Sequence, residues 1–131
     1  MSATEEAVTW VNLNEDRRLY PRKFLSGTGY VVVPGRPAFE VHTQDISLGG
    51  MGVVSPLNLP YELLCEMHFT LPREPAGMDV LAVSVRVVHS ILSGRQRGFL
   101  VGLQFVNLPP NTMATISRFM AATSLMMGSG S

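Results

Sequence analysis

From about residue 25 onward the chain is written in period two, and no other feature limits its fold as strongly. Apolar and polar residues alternate in short runs separated by Gly, Pro and Asn, the pattern of half-buried strands joined by turns. TGYVVV at 28–33 ends on Pro34-Gly35, a turn dipeptide, and AFEVHTQDI at 38–46 sets Phe39, Val41 and Thr43 on one face against Glu40, His42 and Gln44. Those two runs predict a hairpin. MGVVS at 51–55 is a third, short strand. LLCEMHFTL at 63–71 is a fourth, with Leu63, Cys65, Met67, Phe69 and Leu71 in register, and VLAVSVRVVH at 80–89 and GFLVGLQFV at 98–106 complete the set. Six short strands with brief connections predict an all-β fold, a six-stranded antiparallel barrel, because closure removes the exposed edges that invite aggregation.

After Pro109-Pro110 the period changes. Asn111 or Thr112 is placed to cap a C-terminal helix in which Met113, Ile116, Met120 and Met127 fall near one face with Phe119 beside them. Such a helix closes one end of the barrel or meets a partner. The 131 residues suit one domain, spanning 15–127. Residues 1–14, with Trp10 and Val11 among polar neighbours, are expected to be a flexible N-terminal arm, and GSGS at 128–131 a flexible tail.

Hydrophobic residues make up 46% of the chain and charged residues 15%, which excludes a chain too polar to fold. Ten basic residues balance ten acidic ones, so no global field draws the protein to a nucleic-acid polymer or an anionic membrane. Anions must be held locally. The opening MSATEEAVTW lacks a signal pattern, no apolar run approaches bilayer length, and the single cysteine, Cys65, excludes an internal disulfide. A cytoplasmic protein without membrane insertion is expected.

No catalytic constellation is present: Ser47 has no histidine at a diagnostic spacing, no carboxylates are paired, and there is no phosphate-binding or dinucleotide fingerprint. Three scattered histidines and one cysteine do not make a metal site. The expectation is no enzyme, no metal and no cofactor.

Two stretches carry the remaining chemistry. RRLYPR at 17–22 gathers Arg17, Arg18 and Arg22, and Pro21 keeps them off a helix, on extended or turning chain. A guanidinium is a rigid fork that matches a phosphate, or the O6 and N7 edge of guanine. By itself the cluster reads equally as a solvated charge run neutralised by Glu15 and Asp16. DISLGG at 45–50 offers Asp45 and Ser47 as side chains that fold onto backbone amides, and Gly49-Gly50 as residues able to adopt positive φ and form an anion-holding concavity. By itself that stretch is also an ordinary Asx turn.

Together, Arg-x-x-x-Arg (Arg18, Arg22) and Asp-x-Ser-x-x-Gly (Asp45, Ser47, Gly50), set in a six-strand chain with a closing GLQF at 102–105 and a terminal helix, closely resemble the PilZ domain. The likeness covers about residues 15–120. It implies a bacterial receptor for cyclic di-GMP that signals to a downstream partner protein, in processes such as motility and biofilm formation. It implies that Arg18 and Arg22 engage phosphates and guanine edges, that Asp45 accepts from the guanine N1–H and amine, that Ser47 bonds a phosphate or base, and that Gly49 and Gly50 leave room for the ligand. Arg17, just before the first motif arginine, implies a ligand bound as an intercalated dimer. His89 falls where some relatives carry an aromatic that packs on a guanine; a strand-end histidine facing solvent is the plainer reading. The rival from another class is a nucleotide-independent interaction module in pilus or motility assembly, its surface being the Met-rich helix.

Overall fold

The computed structural model describes residues 20–130, with side chains described as far as residue 122. The expected arm, Trp10, Arg17, Arg18 and the side chain of Met127 lie outside the described residues. Six strands follow in chain order: β1 Lys23–Val32, β2 Phe39–Ile46, β3 Gly50–Ser55, β4 Leu64–Pro72, β5 Met78–Ser93 and β6 Gly98–Phe105, then helix α1 Pro110–Gly130. They close into an antiparallel barrel in the order β1-β2-β3-β6-β5-β4. The closing seam is short, Tyr30 opposite His68, Val31 opposite Met67 and Val32 opposite Glu66.

Alternation fills the barrel as expected. Val31, Val41, Met67, Leu71, Val83, Val85, Val87 and Val101 are fully buried, and Ile116 and Phe119 of α1 join the same core. Each such side chain contributes roughly 1.5–3 kcal/mol on leaving water. The expected first hairpin is present: Gly35 has φ 78° and the Arg36 N–H donates to the Val33 carbonyl at 3.0 Å, the turn that Pro-Gly favours at its two central positions.

Boundaries differ from the sequence reading in three places. β1 starts at Lys23 rather than 28 because Ser26, Gly27 and Thr28 are all exposed, which silences the alternation while the strand continues. β5 runs on to Ser93, where Ile91 pairs with Leu100 and Leu92 with Phe99 beyond the packed core. The helix begins at Pro110, whose missing N–H costs nothing in the first turn. Pro109 supplies the first carbonyl, to the Met113 N–H at 2.9 Å, and Asn111 bonds the neighbouring Thr112 N–H at 3.0 Å from inside that turn rather than capping it. The buried face of α1 is Ile116, Phe119 and Met120, while Met113 is exposed. The helix also takes in residues 128–130, assigned above to a tail.

Candidate functional site

Three irregularities in the sheet build one feature on the outer wall. Pairing slips between Phe24 and Gly27 in β1, between Thr43 and Asp45 in β2, and between Val87 and His89 in β5. A bulge inserts one residue and re-aims those beyond it. Strict alternation from Phe39 would point Asp45 into the core and Ile46 to solvent; with the bulge, Ile46 is fully buried and Asp45 half-buried on the outside. Similarly, Val83, Val85 and Val87 face inward, and the slip after Val87 brings His89 to the outer face opposite Gly102. A single outer row results, crossing five strands: Phe24, Asp45, Gly52, Gly102 and His89.

Asp45 is the hub of that row. Its Oδ1 accepts from Arg22 Nη1 at 2.6 Å and from the Gly52 N–H at 3.0 Å. The Arg22–Asp45 pair is about one third exposed on both sides, so its worth to stability is small and its main effect is positional. The two sequence stretches that met only as motifs thus touch, 23 residues apart in the chain.

The rest of DISLGG holds the turn. Ser47 is buried; its Oγ accepts the Gly49 N–H at 3.1 Å and donates to the Gly50 carbonyl at 3.3 Å, while its own N–H reaches the same carbonyl at 2.8 Å. Gly49 and Gly50 were expected in the positive-φ region, yet among the described glycines only Gly35 and Gly77 are there. Their requirement is space. A Cβ on Gly49 would press on the Tyr20 ring at 3.3 Å, and one on Gly50 would sit on the Leu103 carbonyl oxygen, where β3 and β6 close up.

Arg22, Gln44, Asp45, Gly52, His89, Leu100 and Gly102 line a surface cavity of about 260 Å³ together with Val53 and Val101. His89 therefore lines the same cavity as Arg22 and Asp45, whereas His42 is exposed away from it and His68 pairs with Glu66 at 2.9 Å on β4. Sequence reasoning missed Gly52 and Gly102, although glycine inside a strand marks a bulge or a close approach. It also missed Arg86, whose Nη2 donates to Gln104 Oε1 at 2.7 Å in the outer row beside Gly50. A larger cavity of about 550 Å³, lined by Val32, Pro34, Leu64, Cys65, Glu66 and Ser84 among others, contains none of the motif residues. Cys65 is buried there, and loss of solvent pushes its thiol pKa up. No group of metal-binding side chains occurs among the described residues, and no described helix is long and apolar enough to cross a membrane.

A family model described as PilZ domain matches residues 16–122. The same fold occurs in the inhibitor of motility MotI/DgrA of Bacillus subtilis, at 15% identity and TM-score 0.72, covering 83% of this chain and 52% of that one. It occurs in Escherichia coli YcgR in complex with c-di-GMP, at 17% identity and TM-score 0.65, covering 87% and 49%. The PilZ domain of YcgR with c-di-GMP aligns at 16% identity and TM-score 0.60 over 85% of this chain and 94% of that one. This chain thus spans about half the length of MotI and of YcgR. No curated protein matches it significantly by sequence.

Proposed function

This chain belongs to the PilZ domain family, and on that premise we propose that it is a cyclic di-GMP receptor, not an enzyme, which passes the ligand's presence to a partner protein. The observation that carries the reading is the 2.6 Å contact of Arg22 with Asp45 at the edge of the outer cavity. Arg22 spends one donor on Asp45 and keeps the others of its fork for phosphate oxygens or a guanine edge. Asp45 spends Oδ1 on Arg22 and Gly52, and Oδ2 is the acceptor for the guanine N1–H and exocyclic amine. The pair is therefore oriented before the ligand arrives, which lowers the ordering cost of binding.

Two solved neighbours hold c-di-GMP on this fold, and the Arg-x-x-x-Arg and Asp-x-Ser-x-x-Gly patterns are both intact in this sequence. Arg18 precedes Arg22 by one motif spacing, and with Arg17 it brings further positive charge to the same ligand. Three guanidinium groups suit the concentrated phosphates of two intercalated molecules. Titration calorimetry with cyclic di-GMP tests the reading: saturable heat that Arg22→Ala and Asp45→Ala abolish supports it. A wild-type chain that gives no binding heat leaves the interaction-module alternative in its place.

A further inference from the structure

Gly102, the first residue of GLQF, stands under the His89 imidazole. An ideal Cβ built on Gly102 would lie 2.6 Å from His89 Nδ1, 2.8 Å from Nε2 and closer still to Cε1, and these are the three nearest atoms to it. The near-equality of the three distances fixes the ring's attitude. A point in the ring plane beyond Cε1 would be about 1 Å farther from both nitrogens than from Cε1, given a conjugated C–N bond of about 1.33 Å. The spread here is only about half that. The imidazole thus lies face-down on the backbone of β6, with its other face turned outward beside the cavity that Arg22 and Asp45 border.

Only glycine permits this. Any Cβ at position 102 would force the ring off the strand, and the bulge that delivers His89 to the row is matched by the one position of β6 that can receive it. We propose that Gly102 is a positioning residue of the ligand site: its bare backbone seats the His89 ring flat, presenting an aromatic face on which a purine base stacks. The proposal rests on the receptor reading above and adds to it a residue outside both sequence motifs. Stacking of a base on an aromatic side chain is worth about 1–3 kcal/mol, or about 5- to 150-fold in affinity.

A double-variant cycle tests it with two readouts. Without nucleotide, Gly102→Ala lowers the melting temperature, and adding His89→Ala restores it, because the ring that the new methyl displaces is gone. With cyclic di-GMP, Gly102→Ala and His89→Ala each weaken binding by about 5- to 150-fold, and the double variant is no weaker than His89→Ala alone. A Gly102→Ala penalty that persists in full in the His89→Ala background, in either readout, overturns the proposal. If Gly102→Ala alone does not fold, the double variant must; its failure to fold has the same consequence. Absence of wild-type binding with rescue of stability would reject the receptor reading while leaving the seating of His89 by Gly102 in place.

Discussion

Arg22 and Asp45 divide one task between them. The carboxylate fixes the guanidinium at 2.6 Å and is itself held by the Gly52 N–H at 3.0 Å, so removing either partner changes the other's geometry. Arg22→Ala is expected to reduce cyclic di-GMP affinity by at least about tenfold with little change in stability, since a one-third-exposed ion pair contributes only about 0–1 kcal/mol; Arg22→Lys should not rescue it, because a point charge lacks the fork. Asp45→Ala should cost binding and, in addition, about 1 kcal/mol of stability through the lost Gly52 bond. Calorimetric titration and chemical denaturation of the same variants separate the two effects. Arg17 is expected to bear on stoichiometry instead. Wild type is expected to take two nucleotides per chain and Arg17→Leu to shift that toward one; a wild-type ratio of one would reject the intercalated dimer and leave the receptor reading standing.

At the scale of elements, the strands were legible wherever one face is apolar, the bulged β2 among them, while the bulges inside them were not. Alternation located β4 and β6 to within a residue or two, because Cys65, Met67, Phe69 and Leu71, and Val101 and Leu103, all turn inward. It could not locate the start of β1, where Ser26, Gly27 and Thr28 are all exposed, nor foresee that Gln44 and Val88 lie at slips that set the faces of Asp45 and His89. A bulge leaves no periodic trace of its own; it is chosen by pairing with a neighbouring strand far away in sequence. The glycines of DISLGG were read as able to adopt positive φ, and neither Gly49 nor Gly50 does so; what each needs is room. Gly50 illustrates the difference: with its Cβ position occupied by the Leu103 carbonyl, Gly50→Ala should separate β3 from β6 and destabilise the barrel by roughly 1–3 kcal/mol, the usual cost of overpacking. Urea denaturation measures it, and a wild-type midpoint would show that the two strands yield without cost.

At the scale of the molecule, the barrel is closed by strands of unequal grip. β1 meets β4 over only three residue pairs, whereas its hairpin with β2 runs from Lys23 opposite Ile46 to Val31 opposite Phe39. The segment that carries Arg22 enters β1 directly, and Arg22 already reaches across to Asp45 of β2. A polyanionic ligand held by Arg17, Arg18 and Arg22 on one side and by Asp45 on the other would therefore tie the chain before β1 to the outer wall and create a composite surface of protein and nucleotide for a partner. Binding to the native state alone also stabilises it, by about 2.7 kcal/mol at a hundredfold excess over Kd, so the melting temperature should rise by several degrees with cyclic di-GMP and not with GMP. Cys65 offers a control on where that protection acts: buried and with its thiol pKa raised by desolvation, it should react with thiol reagents far more slowly than in unfolded chain, with or without nucleotide. Amide exchange over residues 10–24 is expected to slow on adding cyclic di-GMP, and the fluorescence of Trp10, the sole tryptophan, to shift with it. Exchange that stays unchanged across that segment at saturating ligand, while the melting temperature rises, would mean that the ligand is held without recruiting the chain before β1 and that the signal leaves through the barrel itself.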